Sequence, residues 1–275
     1  MKVVVVQTNG GDTKARNVEQ AFRVMEEAAD KESPDLIVLP ENFAFYSTNA
    51  KAMADNAEEL PGGPTYARLA AFARDRGVFL HAGSLSEKPG NGDGGGDAKP
   101  FNTSVTFDRT GREIARYRKI HRFDITGPDG TRYFESDVVG GGREIITYDA
   151  EGFTFGCAIC FDLRFGELFF RLRDAGSDVI VIPSAFTHKT GEAHWETLIR
   201  ARAIEFQCYV LAPDQTGTFD DGTKRTWGHS MIVDPWGRVL AEMNEEIGYI
   251  SAGINHKQLE KVRGRIPVTD LRVLR

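Results

Sequence analysis

Three reactive side chains follow apolar runs that predict β-strands. They come after the runs DLIVLP, REIARYR and FTFGCAI, and they are a carboxylate, an ammonium and a thiol: Glu41, Lys119 and Cys160. Ligands of α/β proteins bind in the crevice beyond the carboxyl ends of strands, so we expect the three side chains to converge on one pocket. A base, a cation and a nucleophile are together the groups that acyl transfer requires.

The expected chemistry assigns each residue a task. Glu41 accepts the proton of the Cys160 thiol and returns it to a leaving amine, because a thiol needs a base or a nearby cation to become nucleophilic. Lys119 and the backbone N–H of Phe161 stabilise the oxyanion that forms from the attacked carbonyl. A loop glutamate, a strand-end lysine or a buried cysteine alone has an ordinary structural role, so it is the combination that points to catalysis.

Two further cysteines compete for the role of nucleophile. Cys157 lies inside the predicted strand rather than at its end, and Cys208 leads into another apolar run. Free cysteines are among the most buried residues, so we expect both to fill the core. Three cysteines in a long chain are no disulfide framework, which favours the reducing cytoplasm.

The order of elements predicts an α/β fold in a single domain, residues 1–275. Short β-branched runs alternate with helical patterns along the chain. A helix is expected from Pro64 to Gly77, and the turn Asp234–Gly237 is expected to join two apolar runs as a hairpin. The strands outnumber what one parallel sheet needs, which leaves a four-layer α/β/β/α sandwich and a doubly wound single sheet both open.

Charge and hydropathy exclude several classes of protein. Lysines and arginines number 34 against 40 aspartates and glutamates, so the net charge is −6, which argues against nucleic acid and anionic membranes as partners. No apolar run approaches the roughly 20 residues that span a bilayer, and the N-terminus has no export pattern. We therefore expect no membrane association, and we expect the acidic charge to give no steering of an anionic substrate.

The histidines raise two alternatives. A metal site would need a spacing such as HExxH, which is absent from the segment that holds four possible ligands: His188, Glu192, His194 and Glu196. We therefore expect no metal, and we place His194 at the start of a helix. A papain-like pair of His121 and Cys160 would leave Glu41 and Lys119 without a task.

One glycine-rich segment, residues 89–97, departs in composition from the rest of the chain. It contains the spacing GxGxxG, but aspartates lie where phosphates would be repelled and no helical pattern follows. We interpret this segment as a surface loop rather than a nucleotide site.

The motifs around the three reactive residues resemble those of a known family. LPENF, YRKIHRFD and AICFDLRFGEL occur in this order, with GHSMIVDPWG further along, and the chain is similar to the nitrilase superfamily of carbon-nitrogen hydrolases over nearly its whole length. The resemblance implies an α/β/β/α sandwich and a catalytic triad of Glu41, Lys119 and Cys160. It also implies that no cofactor is needed, and that two sandwiches pack as a longer one in a homodimer.

The resemblance adds one residue and shows one departure. A further pocket glutamate is implied at Glu135, where it would orient Lys119 and the substrate. Members usually have proline at the position of Gly166, so we expect the start of the following helix to be less rigid here.

Residues beside Cys160 narrow the expected substrate. CFDLRF is similar to small amidases that act on ω-amides of 2-oxo acids and on deaminated glutathione, and AHWETLIRARAIE is more similar to the second group. The expected function is hydrolysis of deaminated glutathione or a related 2-oxo acid amide through a cysteine thioester. The alternatives are an ω-amidase acting on 2-oxoglutaramate, an N-carbamoyl amino acid amidohydrolase, and a catalytically silent interaction protein. The presence of all three triad residues and Glu135 argues against the last.

The candidate walls of the substrate pocket are Tyr46, Phe161, Phe186, Thr187 and Trp195. Trp195 also lies on an apolar helical stripe that would face the core. None of these side chains by itself selects a carboxylate or a 2-oxo group.

Overall fold

A computed structural model describes residues 1–11, 13–90, 99–126, 130 and 132–273. The strands are β1 (Lys2–Gln7), β2 (Leu36–Val38), β3 (Phe79–His81), β4 (Leu85–Glu87), β5 (Phe101–Phe107), β6 (Glu113–Arg118), β7 (Asp124–Thr126), β8 (Arg132–Phe134), β9 (Thr147–Ala150), β10 (Phe153–Cys157), β11 (Val179–Val181), β12 (Tyr209–Ala212), β13 (Thr216–Phe219), β14 (Lys224–Trp227), β15 (Met231–Val233), β16 (Val239–Glu242) and β17 (Gly248–Gly253). The α-helices are α1 (Lys14–Glu32), α2 (Ala50–Asp55), α3 (Pro64–Arg76), α4 (Gly166–Asp174), α5 (His188–Phe206), α6 (His256–Arg265) and α7 (Val268–Leu271). Short 3₁₀ helices cover Glu135–Asp137 and Cys160–Arg164.

Two mixed sheets form the centre of the fold. The first has the order β17-β1-β2-β3-β5-β4 with β6 paired to β5, and the second has the order β16-β15-β12-β11-β10-β9. Strands β1, β2 and β3 are parallel, as are β10, β11 and β12, while the outer strands pair antiparallel. The hairpins β7–β8 and β13–β14 form separate two-stranded sheets.

The two faces of β1 show how the layers stack. Val3 and Val5 pack in the cluster that contains the second sheet, whereas Val4 and Val6 pack against helices α1 and α3. Both faces of the central strands are buried, which is why their sequences are continuously apolar. Helices α4 and α5 cover the second sheet. The fold is therefore the four-layer α/β/β/α sandwich, and the doubly wound single sheet is wrong.

Two local predictions are confirmed. Helix α3 begins at Pro64 and is followed by Gly77, whose left-handed φ of 63° is typical of a residue that ends a helix. In the turn Asp234–Gly237 the last N–H donates to the first carbonyl at 2.9 Å, and strands β15 and β16 pair on either side.

The sequence VFLHAGSL is a single mostly apolar run, but the chain forms two strands there, β3 and β4. The chain bends at Gly83, which has a φ of 55°. A Cβ at this position would lie 2.0 Å from the Pro40 carbonyl oxygen, so only glycine fits the bend.

Helix α4 begins at Gly166, the position where proline is usual in the family that the chain resembles. A Cβ added there would meet only the Arg202 guanidinium, at 3.9 Å. The site therefore has room for a larger residue, and glycine does not prevent the helix from starting at this point.

The glycine-rich segment is only partly described, because residues 91–98 lie outside the described residues. The interpretation of 89–97 as a loop stays a prediction. In the part of the chain that the structure covers, no helix is long and apolar enough to cross a membrane.

Candidate active site

The strand directions of the first sheet bring two reactive groups to one edge. Strands β2 and β3 are parallel, β5 is antiparallel to β3, and β6 is antiparallel to β5, so β6 runs in the same direction as β2. Glu41 follows the end of β2 and Lys119 follows the end of β6. The two side chains therefore meet although they are 78 positions apart in the sequence.

Lys119 lies between two carboxylates. Its Nζ is 2.8 Å from Oε1 of Glu41, and 3.0 and 2.8 Å from the two carboxylate oxygens of Glu135. Glu41 and Lys119 are almost fully buried. The Phe123 N–H donates to Oε2 of Glu135 at 2.6 Å and holds this carboxylate in place. The structure thus brings Glu135 next to Lys119, as the resemblance implies.

Cys160 approaches this cluster from the second sheet. Strand β10 ends at Cys157, three residues earlier than the run FTFGCAIC suggests, because the chain turns into a 3₁₀ helix that starts at Cys160. Cys160 has a left-handed φ of 48°, a strained conformation for a residue other than glycine that is frequent at functional sites. Its N–H donates to the Pro183 carbonyl at 2.9 Å, and its side chain lines the same cavity as the Glu41 carboxylate, whose charge acts on the thiol.

Burial and neighbouring charges set the protonation states of the cluster. Burial raises the pKa of Glu41 above its ordinary value, and the Lys119 ammonium offsets part of that rise. Burial lowers the pKa of Lys119, but the carboxylates of Glu135 and Glu41 outweigh it and hold that pKa well above its ordinary value. Burial, followed by the Glu41 charge, raises the pKa of Cys160 well above that of a free thiol. The resting site therefore holds a neutral Cys160 thiol and a charged Lys119 ammonium beside the Glu41 carboxyl group.

The reactive groups line a cavity of about 450 Å³. Four of the five predicted wall residues line it as well: Tyr46, Phe161, Phe186 and Thr187. The ring of Tyr46 stacks on Phe219 with centroids 4.4 Å apart, which fixes one wall. The N–H of Phe161 lies in the first turn of its 3₁₀ helix, where backbone donors have no acceptor within the helix and are available to a ligand.

The cavity also gathers positive charge, in contrast to the chain's net charge of −6. Besides Lys119, its walls include three cations: Arg132, Arg164 and Lys224. Outside the Lys119 cluster, Asp137 is the one carboxylate among the described residues of the walls. Arg164 is half-buried beside the rings of Phe161 and Phe186, and it has no carboxylate partner within the described ranges. The net charge of the chain therefore does not describe the charge around the pocket, and the expectation about steering stays a prediction.

Two residues of helix α5 differ from their predicted roles. Trp195 does not line the cavity: it is 1% exposed in the core, where its Nε1 donates to the His229 carbonyl at 2.8 Å. Trp195 lies in the core because it belongs to the apolar stripe of the helix. Helix α5 begins at His188, so His194 lies within the helix rather than at its start, and its Nδ1 is 3.3 Å from a guanidinium nitrogen of Arg164.

The described residues contain no group of three or more histidines, cysteines or carboxylates that could hold a metal.

The other two cysteines are fully buried and unpaired, as predicted for core residues. Burial raises the pKa of Cys157 to about 12 and that of Cys208 to about 11. Neither side chain lines the cavity, so Cys160 is the thiol that faces it.

The sequence reasoning missed two buried polar residues beside the site. Asn102, at the start of β5, donates from Nδ2 to Glu41 at 2.8 Å and to Glu135 at 3.3 Å. Asp162 is fully buried in the 3₁₀ helix that carries Cys160. The available signal was a polar residue next to apolar neighbours, which is too common to single out a site.

Comparisons with known proteins identify the family. Residues 2–264 match the family model of carbon-nitrogen hydrolases. The deaminated glutathione amidase of Synechocystis is 38% identical over 266 residues, covering 95% of each chain, and the omega-amidase NIT2 of Homo sapiens is 35% identical over 267 residues, covering 97% of this chain and 93% of the relative. Saccharomyces cerevisiae Nit3, a member of branch 10 of the nitrilase superfamily, has a crystal structure that matches with a TM-score of 0.88 at 30% identity, covering 100% of this chain and 97% of Nit3. The chain therefore belongs to the carbon-nitrogen hydrolases of the nitrilase superfamily and is a hydrolase of carbon–nitrogen bonds other than peptide bonds.

Proposed function

We propose that this protein hydrolyses a small amide through a thioester on Cys160. The observation that carries the proposal is the convergence of three groups on one cavity, where the Glu41 carboxylate is 2.8 Å from the Lys119 ammonium and shares the walls with the Cys160 thiol. A base and a cation beside the nucleophile are the arrangement that thiol-dependent acyl transfer needs.

The reaction starts when the Cys160 thiol transfers its proton to Glu41 and its sulfur forms a bond to the amide carbon. The carbonyl electrons move onto oxygen, where the Lys119 ammonium and the Phe161 N–H stabilise the negative charge. When the carbonyl re-forms, the carbon–nitrogen bond breaks and Glu41 gives its proton to the leaving nitrogen, which departs as ammonia or an amine. A thioester remains on Cys160.

Water completes the cycle. Glu41 accepts a proton from the attacking water, whose oxygen adds to the thioester carbon. The carbon–sulfur bond then breaks, Glu41 returns the proton to the sulfur, and the carboxylic acid leaves. Glu135 keeps Lys119 charged and in place throughout, because its two carboxylate oxygens are 3.0 and 2.8 Å from the ammonium.

The charges of the cavity favour a substrate with a carboxylate. At their formal charges the described walls carry four cations and three carboxylates, an excess of one positive charge, and the Lys224 ammonium is 3.5 Å from the Asp220 carboxylate. Arg164 is the strongest candidate to bind a carboxylate, because a half-buried guanidinium without an anionic partner gains most from one. The relative named deaminated glutathione amidase supports a deaminated glutathione substrate, whose 2-oxo acid end supplies the carboxylate.

A second candidate is the ω-amidase reaction on 2-oxoglutaramate, which the relative named omega-amidase supports. Both reactions would form the same acyl group on Cys160 and differ in the leaving group. A cavity of about 450 Å³ encloses a drug-sized ligand and exceeds what a leaving ammonia requires, so we place deaminated glutathione first.

Trapping the intermediate tests the proposal directly. Enzyme mixed with deaminated glutathione or 2-oxoglutaramate is quenched in acid within one turnover, digested, and analysed by mass spectrometry. We expect the acyl group on the peptide that carries Cys160, with no adduct in Cys160→Ala and an unchanged adduct in Cys157→Ala. An acyl group on another residue, or full turnover by Cys160→Ala, would refute the mechanism.

We also propose that the protein is a homodimer in the reducing cytoplasm. Its three cysteines are unpaired thiols, as that compartment favours.

The proposed dimer interface is an exposed apolar patch. Exposed apolar side chains cluster around one groove on the side of α4, α5 and the C-terminal helices: Phe170, Ile204, Trp236, Ile266 and Val268. Exposed apolar patches of this kind mark interfaces. Light scattering should give a dimeric mass that Trp236→Glu lowers to that of a monomer and that Ile145→Glu, outside the patch, leaves unchanged.

A further inference from the structure

The buried carboxylate of Asp162 receives four hydrogen bonds. Its Oδ1 accepts from the His121 backbone N–H at 2.9 Å and lies 2.7 Å from Nδ1 of His121. Its Oδ2 accepts from the Tyr117 hydroxyl at 2.6 Å and from the Ile159 N–H at 2.9 Å. A carboxylate is an acceptor only, so Nδ1 of His121 carries its hydrogen in this arrangement.

The donors of these bonds flank the two groups that react. Tyr117 and His121 lie two residues before and two residues after Lys119, while Asp162 lies two residues after Cys160. The segment of Lys119 follows β6 of the first sheet, whereas the 3₁₀ helix of Cys160 follows β10 of the second sheet. One carboxylate therefore connects the backbone segment of the ammonium to the backbone segment of the thiol.

Aromatic packing outside the cavity also joins the segment of Lys119 to the segment of Cys160. The His121 ring stacks on Phe165 with centroids 3.7 Å apart and planes inclined by 6°, and the Phe165 N–H donates to the Asp162 carbonyl at 3.0 Å. Asp162, Tyr117 and His121 are all absent from the described walls of the cavity. These side chains are therefore placed to act on the reacting groups and not on the substrate.

We propose that Asp162 is a positioning residue, which sets the distance between the Lys119 ammonium and the Cys160 thiol by bonding Tyr117 and His121 on either side of Lys119. This inference rests on the proposed roles of Lys119 and Cys160. A misplacement of about 1 Å in a catalytic group costs as much as a hundredfold in rate, so a connection of this kind affects turnover strongly. It also gives His121 a task that does not involve proton transfer to the thiol.

Variants that each remove one bond test the connection. Tyr117→Phe keeps the ring and loses the hydroxyl, and His121→Phe keeps the stack on Phe165 and loses the Nδ1 bond. Asp162→Asn keeps the shape but replaces one acceptor by a donor. The matched control is Tyr148→Phe, because Tyr148 is also a buried tyrosine, and its hydroxyl bonds His81 at 3.2 Å away from the cavity.

Three measurements are made on each variant: kcat and KM with deaminated glutathione and with 2-oxoglutaramate, the number of Cys160 sites that iodoacetamide titrates, and the thermal unfolding midpoint. We expect Tyr117→Phe and His121→Phe each to lower kcat per titrated site about tenfold with KM within about threefold, and the double variant to lose about a hundredfold. Tyr148→Phe should keep its kcat per titrated site even where its unfolding midpoint falls.

The outcomes separate this inference from the proposed function. If Tyr117→Phe and His121→Phe both keep the wild-type kcat per titrated site, the positioning role is wrong. It is also wrong if their loss of kcat per titrated site only equals that of Tyr148→Phe. These two variants decide the matter even if Asp162→Asn does not fold. If instead Cys160→Ala keeps its turnover, the proposed catalytic mechanism fails and the positioning role fails with it.

Discussion

The Nζ of Lys119 and Oε1 of Glu41 are 2.8 Å apart, and these side chains are 2% and 3% exposed. Water screens such a buried pair poorly, so each charge strongly affects the other. Glu135 adds a second carboxylate, which gives the cluster one ammonium and two carboxylates and a net charge of −1. A developing oxyanion needs the ammonium, and the thiol needs the carboxylate, so the same ion pair serves both halves of the proposed reaction.

Substitution of the cysteines separates the nucleophile from the core residues. Cys160→Ala and Cys160→Ser should each lower kcat by several orders of magnitude, because the thioester cannot form as before. Cys157→Ala should stay within about tenfold of wild type while losing stability, since it leaves a small cavity in the core. Steady-state kinetics and urea unfolding measure both effects, and an equal loss of kcat in Cys157→Ala would reverse the assignment.

Lys119→Arg tests the geometry of the oxyanion donor. The substitution keeps the positive charge but puts a wider, planar group into a buried space where Nζ already contacts Glu41 and Glu135. We expect kcat/KM to fall, and the fall should correspond to a loss of about 3 kcal/mol or more of transition-state stabilisation. This is the cost of losing an oxyanion donor. An enzyme that keeps most of its activity would show that Lys119 supplies only a general positive field.

The raised pKa of Glu41 predicts the acid limb of the pH profile. Glu41 must be ionised to accept the thiol proton, and its pKa lies above the ordinary carboxyl value because of burial. The value of kcat/KM should therefore rise with pH through a pKa higher than 4.5. No alkaline loss is expected near the ordinary thiol value, because the pKa of Cys160 is raised well above 9.0. A profile of kcat/KM from pH 4 to 10 checks both limbs, with Glu41→Gln as the inactive reference.

His81 predicts a loss of stability in acid. It is fully buried between Ser104, Thr106 and Tyr148, and burial lowers its pKa to about 3 from 6.5. Between these two values the unfolded chain binds a proton that the folded protein does not, so the free energy of unfolding falls as the pH falls through this window. Urea unfolding at pH 7.5 and 4.5 should show a loss about 3 kcal/mol larger in wild type than in His81→Gln. Equal losses of unfolding free energy in wild type and His81→Gln would contradict this role of His81.

A substrate panel ranks the candidate reactions. We expect kcat/KM to favour deaminated glutathione over 2-oxoglutaramate, with N-carbamoyl amino acids and short aliphatic amides poorer and nitriles inert. The reverse order of the first two would move the assignment to ω-amidase, and preference for N-carbamoyl substrates would exclude both.

Arg164→Met applies the same panel to the charge of the cavity. Loss of a charge-assisted hydrogen bond should raise KM about tenfold or more for substrates with a carboxylate, and leave KM for a short aliphatic amide within about threefold. An equal effect on charged and uncharged amides would show that Arg164 contributes to packing rather than to recognition.

The amino-acid sequence by itself was sufficient for features that depend on neighbouring residues. Apolar runs predicted the strands that Glu41, Lys119 and Cys160 follow, and proline and glycine predicted the limits of helix α3 and the turn Asp234–Gly237. The strand count left a single sheet open, and the resemblance carried by the motifs around the three reactive residues favoured the sandwich. Local patterns determine such features because backbone conformation and burial repeat with the period of a strand or helix.

The tertiary structure alone decided which distant side chains meet. Asn102 contacts Glu41 across 61 positions, and Asp162 joins Tyr117 across 45, distances over which no local pattern carries information. Trp195 fitted two roles in the sequence, and packing against the second sheet placed it in the core. The cations of the cavity come from separate elements of an acidic chain, so their concentration at one site follows from the fold and not from composition.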